Sequence, residues 1–128
     1  MTTTIVFCED DAVIQRLIQV ATRTLPYTVH VVGDGAAGLA LIEQTRPTLI
    51  FTDLTMPRLD GRQLLAALQA QPALAPIPVV VMTASGLTRV ELDALLEHGA
   101  TDYLTKPFGP RELRAKLEDL LGAPPATN

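Results

Sequence analysis

The sequence predicts an α/β domain built on a doubly wound, five-stranded parallel sheet with helices on both faces. Short apolar segments alternate five times with longer segments in which apolar residues recur three and four positions apart. The first pattern is typical of strands and the second of amphipathic helices. Several short segments, such as Pro78–Met82, are continuously apolar, as strands covered on both faces must be. With 128 residues, of which 48% are apolar and 19% charged, the chain can form one hydrophobic core.

The predicted strands and helices follow one another in turn. The strands are predicted at Thr4–Cys8, Thr28–Val32, Leu49–Thr52, Pro78–Met82 and Asp102–Thr105. The helices are predicted at Ala12–Thr24, Ala36–Thr45, Gly61–Gln71, Thr88–His98 and Pro110–Leu121. Strand–helix–strand units of this kind give parallel strands joined by right-handed crossovers.

Residues suited to helix ends stand at several of these boundaries. Asp34 and Asp60 can cap helix starts, because their carboxylates accept from free backbone N–H groups. Gly99 can close the fourth helix, and Pro110 suits a first helical turn.

Charge and composition disfavour several classes of protein. The net charge of −4 and the pI near 5.0 argue against direct nucleic-acid binding. Cys8 lies in an apolar segment and is predicted to be a buried, reduced thiol. No apolar run approaches the length of a membrane span, so we expect a cytoplasmic protein without membrane insertion. We expect residues 1–121 to form one domain and residues 122–128 to be a tail or the start of a linker.

Polar residues follow four of the five predicted strands. Glu9 and Asp10 directly follow the first strand, and Asp53 follows the third. Thr83 follows the fourth strand and Lys106 the fifth. Ligands of open α/β sheets bind beyond the carboxyl ends of the strands. We therefore expect these five side chains to meet at one edge of the sheet.

The three carboxylates of this group repel one another and require a cation. Mg²⁺ suits an open, all-oxygen site that carboxylates share with a phosphate, whereas Zn²⁺ prefers Cys and His ligands. An aspartate beside Mg²⁺, a lysine and a hydroxyl can act as a nucleophile toward phosphorus. The pattern thus indicates phosphoryl chemistry at Asp53, supported by Thr83 and Lys106.

Each of these residues also has a purely structural interpretation. Asp10 and Asp11 can cap the first helix. Asp53 and Thr55 can be turn residues. Thr83 can end a strand, and Lys106 can be a surface lysine that packs its aliphatic stem against apolar groups. Each structural interpretation is favoured for an isolated residue, but their joint placement at one sheet edge favours a site.

Four short motifs are spaced along the chain. They are Ile5–Asp11 (IVFCEDD), Asp53–Pro57 (DLTMP) with Asp60-Gly61, Val81–Ala84 (VMTA) and Lys106–Phe108 (KPF). In order and spacing they resemble the receiver domain of bacterial two-component response regulators, from Thr3 to about Leu121. The resemblance implies a flavodoxin-like sheet with strand order 2-1-3-4-5.

The resemblance also implies which residues bind the phosphoryl group and the metal. Asp53 resembles the phosphoacceptor, and Glu9 and Asp10 resemble the acidic pair that binds Mg²⁺ (or Mn²⁺) together with it. The backbone carbonyl of Thr55 resembles the remaining protein ligand. Glu9 is one methylene longer than the aspartate more usual at its position, so water can bridge it to the metal.

Further residues match the family's phosphoryl-binding and switch positions. Lys106 resembles the lysine that contacts the phosphoryl oxygens, and its bond to Pro107 is expected to be cis. Thr83 and Tyr103 resemble the switch pair, whose hydroxyl and ring rearrange on phosphorylation. Ala84 is small enough to leave room for the phosphoryl group.

The function implied by the resemblance is a phosphorylation-dependent signalling switch. A histidine kinase or phosphotransfer protein would donate the phosphoryl group, and catalysis would be limited to this transfer and slow autodephosphorylation. A phosphatase of the haloacid-dehalogenase type would need a second acid where Thr55 stands. An FMN-binding flavodoxin would need a phosphate-binding loop where Glu9-Asp10-Asp11 would repel phosphate.

Two further expectations concern the lifetime and output of the phosphorylated form. Thr55 and Ser85 occupy positions that influence the hydrolytic water in the family; both are short and uncharged, which favours a lifetime of minutes or more. The fourth helix, fifth strand and fifth helix are expected to bind an output partner or a second copy of the chain. Asp102, Glu112 and Lys116 resemble charged dimerisation positions there, whereas Leu92 stands near the place of their expected basic partner.

The first helix is expected to be a docking face for the phosphodonor. It has more apolar residues than one buried stripe requires, namely Ala12, Val13, Ile14, Leu17 and Ile18. The chain itself is interpreted either as a stand-alone regulator or as part of a longer one.

Overall fold

A computed structural model of the chain describes residues 3–84 and 86–122. Within these ranges the strands are β1 (Thr4–Cys8), β2 (Thr28–Val32), β3 (Leu49–Asp53), β4 (Val79–Ala84) and β5 (Asp102–Lys106). The helices are α1 (Ala12–Thr22), α2 (Gly35–Thr45), α3 (Gly61–Gln69), α4 (Arg89–Glu97) and α5 (Pro110–Leu121). Ser85 and nearly all of the predicted tail lie outside the described residues.

The five strands form one parallel sheet in the order β2-β1-β3-β4-β5. This confirms the predicted fold class and strand order. The order reverses between β1 and β3, so the carboxyl ends of these two neighbouring strands border the crevice where such sheets bind ligands.

Helices cover the sheet on both faces and create two apolar cores. Successive residues of a strand point to opposite faces. Val79 and Val81 accordingly lie in a core with residues of α2, α3 and α4, while Val80 and Met82 lie in a core with residues of α1 and α5. Each such side chain, fully buried, contributes roughly 1.5–3 kcal/mol relative to exposure. This two-sided burial explains the continuous apolar run of the fourth strand.

The carboxyl ends of three strands differ from the prediction. β3 includes Asp53, β4 begins after Pro78 and extends to Ala84, and β5 includes Lys106. The apolar pattern stops at the first polar side chain, but the backbone ladder continues, since Asp53 pairs with Met82 and Ala84 with Lys106. Three predicted site residues therefore lie on strand ends rather than after them.

The helix starts agree closely with the capping residues in the sequence. The Asp34 carboxylate accepts from the Ala37 N–H at 2.7 Å, and Asp60 forms a capping box with Gln63. Gly99 follows α4 with a φ of 110°, as a helix-closing glycine does. The predicted ends of α1 and α3 were each two residues too late, and α4 is one residue shorter at each end.

The remaining compositional expectations concern Cys8 and the membrane. Cys8 is a buried free thiol, and its burial, aided by the nearby Asp34 carboxylate, raises its pKa to about 12. Among the described helices, none combines the length and apolar character needed to cross a bilayer.

Candidate functional site

The predicted carboxylates meet at the crevice between β1 and β3. Glu9 and Asp10 follow β1, Asp53 ends β3, and one carboxylate oxygen of each lies within 4.8 Å of the others. Glu9 is fully buried, Asp53 is half-buried and Asp10 is exposed. The cluster therefore reaches from the protein interior to solvent, as an open ion site must.

Lys106, at the end of β5, enters the same cluster. Its Nζ lies 2.8 Å from Asp53 Oδ2 and 2.6 Å from Glu9 Oε1. Burial disfavours the charge of Lys106, but hydrogen bonds to Asp53 and Glu9 outweigh it and raise the pKa of the lysine. Burial raises the pKa of Glu9, and hydrogen bonds from Lys106 and the Asp11 N–H offset this only in part. Lys106 is thus held charged chiefly by Asp53, whereas burial makes the charged form of Glu9 less favourable than it is in water.

The donor set fits a divalent cation. Glu9 Oε1 is buried, and among the described residues its close polar neighbour is the Lys106 ammonium, 2.6 Å away, with no backbone N–H or hydroxyl donating to it. A buried carboxylate oxygen neutralised only by one ammonium, beside two more carboxylates, belongs to an oxygen site suited to Mg²⁺ or Mn²⁺.

The loop after β3 brings α3 against the site. The Thr55 N–H donates to Asp53 Oδ1 at 3.4 Å, and Thr55 is exposed beside the acidic cluster. A Cβ on Gly61 would lie only 2.4 Å from the Asp53 carbonyl oxygen. Only glycine therefore allows α3 to begin so close to the end of β3.

Thr83 and Tyr103 share one face of neighbouring strands. Thr83, which is 1% exposed, is paired with Thr105, and Tyr103 lies two residues earlier on β5. Residues two apart on a strand point to the same face, so Thr83 and Tyr103 lie on the face that α3 and α4 cover. The expected cis bond between Lys106 and Pro107 is present.

A cleft of about 370 Å³ opens beside Asp53. Thr55, Ala84 and Lys106 line it, as the motifs indicated, together with Leu54, Leu87 and Arg62. Arg62 was missed by the sequence analysis. Arg62 is the second residue of α3, and this position could have indicated that it lies near the site, because α3 starts at the sheet edge that carries the site.

The predicted α1 face is only partly available for docking. Val13 is 77% exposed, whereas Ile18 is fully buried against the second core, so its assignment to the docking face was wrong. Ile14 and Leu17 are half-buried and line a groove with Val13 and the Lys106–Phe108 segment. The groove adjoins the reactive edge of the sheet.

Comparison with known proteins places the chain in a family. Residues 5–118 match the model of the response regulator receiver domain. The chain belongs to this family. Receiver domains of response regulators are phosphorylation-dependent signalling modules of two-component systems. The chain is also 36% identical over 117 residues to the DNA-binding dual master transcriptional regulator RpaA of Synechocystis, covering 91% of this chain and 48% of RpaA. It thus spans about half the length of the curated relatives it matches.

Solved receiver structures resemble the fold closely. The receiver domain of a sensor histidine kinase from Pseudomonas aeruginosa, solved with magnesium in its active-site cleft, has a TM-score of 0.82 and 32% identity. The match covers 96% of this chain and 100% of that domain. The Mn²⁺-bound response regulator Rcp1 has a TM-score of 0.79 and 31% identity over 97% of this chain and 99% of its own.

Proposed function

We propose that this receiver is a switch whose Asp53 accepts a phosphoryl group from a histidine kinase or phosphotransfer protein. The observation that carries the proposal is the position of the Asp53 carboxylate, which borders an open cleft 2.8 Å from the Lys106 ammonium. A carboxylate accessible from an open cleft can act as a nucleophile toward phosphorus, and the ammonium beside it can neutralise the phosphoryl oxygens that approach.

The transfer itself requires little of the protein beyond positioning. A carboxylate oxygen of Asp53 forms a bond to phosphorus as the bond from phosphorus to the donor breaks. The leaving group, an imidazole nitrogen of the donor histidine or the acetate of acetyl phosphate, departs with the bonding electrons. Lys106 neutralises charge on the transferring oxygens, and the Thr83 hydroxyl donates a hydrogen bond to one of them.

A divalent cation is the proposed cofactor. Asp10, Asp53, the Thr55 carbonyl and Glu9, directly or through water, would hold Mg²⁺ or Mn²⁺. When bound, the ion supplies positive charge for the phosphoryl oxygens. By holding the ion, the same carboxylates would place its positive charge beside the phosphoryl group.

Thr83 and Tyr103 are proposed to carry the change to the surface formed by α4, β5 and α5. Their shared sheet face supports a coupled rearrangement. On the proposed output surface Val90 is 78% exposed, and Lys116 Nζ forms an ion pair with Asp102 Oδ2 at 2.8 Å. This surface would bind an output partner or a second copy of the chain, and the groove along α1 would receive the phosphodonor.

The proposal does not include DNA binding by this domain. RpaA is described as DNA-binding, but half of its length has no counterpart here. Because the net charge of the chain is −4, we assign this domain no direct DNA contact.

We further propose a cytoplasmic location and one domain over residues 1–121. The phosphorylated form should last for minutes or more, a lifetime set in part by Thr55. Ser85, the second residue expected to influence it, lies outside the described residues.

Metal-dependent labelling tests this function. Asp10 lies exposed in the cluster, so Asp10→Ala removes a metal ligand without leaving a buried charge. We expect labelling by radioactive acetyl phosphate in Mg²⁺ to be lost in this variant and in wild type with EDTA, while Asp119→Ala, an exposed change on α5, labels normally. Labelling that persists in EDTA would contradict the proposal.

A further inference from the structure

Arg62 is a cation at the phosphorylation cleft that the family motifs do not account for. It lies in the first turn of α3 and lines the cleft together with Asp53, Thr55 and Lys106. It also lines the groove between α3 and α4, opposite Glu91. The Arg62 side chain thus stands at the junction between the reactive cleft and that groove.

The guanidinium of Arg62 is not committed to another group in the described residues. The arginines that do form side-chain hydrogen bonds or ion pairs there are Arg58, Arg89 and Arg114. Across the groove, Glu91 Oε1 already accepts from the Thr88 backbone N–H and hydroxyl as part of the α4 capping box. Arg62 is exposed and therefore free to turn toward new negative charge in the cleft.

Phosphorylation creates such charge. With a divalent ion bound, that ion and Lys106 together balance the three carboxylates of Glu9, Asp10 and Asp53. The acyl phosphate carries about two negative charges in place of the single charge of the Asp53 carboxylate. The modified site is then left with about one uncompensated negative charge. Arg62 is the further cationic side chain lining the cleft beside it.

We propose that Arg62 is a second phosphoryl-binding cation of this receiver, which contacts the phosphoryl oxygens once they are attached to Asp53. This inference rests on the proposed function and deepens it. The planar guanidinium with its five N–H donors suits bidentate recognition of phosphate oxygens. Arg62 therefore stabilises the transferring group and the phosphorylated state. Lys106, in contrast, also forms an ion pair with the Asp53 carboxylate before phosphorylation.

The test measures the affinity of two matched variants for an anionic and for a cationic ligand. Arg62→Gln removes the cation from the second position of α3, and Arg111→Gln makes the same change at the second position of α5, outside the cleft. Beryllium trifluoride, an anionic mimic of a carboxylate-bound phosphoryl group, is titrated by fluorine NMR in saturating Mg²⁺. Mn²⁺ is titrated without fluoride by the paramagnetic resonance signal of the free ion.

Arg62→Gln should weaken beryllium trifluoride about tenfold, as expected for loss of one charge-assisted hydrogen-bonding group. Its Mn²⁺ affinity should be equal to or higher than that of wild type, because a nearby positive charge has been removed. Arg62→Lys should bind beryllium trifluoride with an affinity between those of wild type and Arg62→Gln. Arg111→Gln should match wild type in both titrations.

Three results would overturn the inference. Equal beryllium trifluoride affinity in Arg62→Gln and Arg111→Gln would show that Arg62 makes no phosphoryl contact. Weaker binding of both the anion and Mn²⁺ would show that Arg62 supports the packing of α3 instead. If wild type binds Mn²⁺ but no beryllium trifluoride, the proposed function itself fails and the inference with it.

Discussion

At the scale of single residues, Glu9 makes opposite contributions to stability and function. Burial raises its pKa, so the folded protein binds this proton more tightly than the unfolded chain does. Stability therefore rises as the pH falls through the folded pKa of Glu9 toward its ordinary value of 4.5, and above the folded pKa the ionised carboxylate lowers the free energy of unfolding. In the proposed function this destabilising carboxylate is a metal ligand.

Glu9→Gln should accordingly stabilise the protein and impair its chemistry. In metal-free buffer at pH 7, urea denaturation should give a free energy of unfolding about 0.5–2 kcal/mol above that of wild type. The difference should shrink as the pH falls, and labelling in Mg²⁺ should weaken. Glu118→Gln, a change of the same charge on an exposed part of α5, should alter neither quantity. A Glu9→Gln variant less stable than wild type at pH 7 would contradict this account.

At the scale of elements, the junction of β3 with α3 determines the shape of the cleft. The close approach of Gly61 to the Asp53 carbonyl fixes where α3 begins, and hence where Arg62 lies. Gly61→Ala should cost about 1–3 kcal/mol, because the added Cβ meets backbone atoms that cannot move aside easily. The variant should have a lower melting temperature in thermal denaturation and should be labelled less by acetyl phosphate than wild type.

Gly33→Ala is the matched control for this change. A Cβ there would lie 3.7 Å from the Gln15 side-chain amide, an ordinary contact distance with a flexible group. The free energy of unfolding of Gly33→Ala should therefore lie within about 0.5 kcal/mol of that of wild type. If Gly61→Ala behaved like Gly33→Ala, the tight junction would not be a structural requirement.

At the scale of the whole molecule, the sequence patterns predict the fold and the site to different depths. The alternating pattern is local and repeated, so the sheet, the helices on both of its faces and the shared edge of Glu9, Asp53 and Lys106 could be predicted. The burial of Ile18 could not, because α1 packs on both the sheet and α5. The place of Arg62 depends on the course of the loop after β3.

That loop is held by a contact distant in the sequence. Arg58, which has a positive φ of 68°, forms an ion pair with Asp34 at 2.6 Å. Asp34 in turn caps α2, and the Ala37 N–H bond, with Arg58, keeps its pKa low. Such a contact between two loops has no periodic signature, whereas the motif aspartates are identified by their places after strands.

The central claim is that Asp53 accepts the phosphoryl group, and the intact mass of the protein tests it most directly. After incubation with acetyl phosphate and Mg²⁺, wild type should gain one phosphoryl mass, and Asp53→Asn, nearly identical in shape, should gain none. If Asp53→Asn gained the phosphoryl mass as fully as wild type, Asp53 would not be the phosphoacceptor.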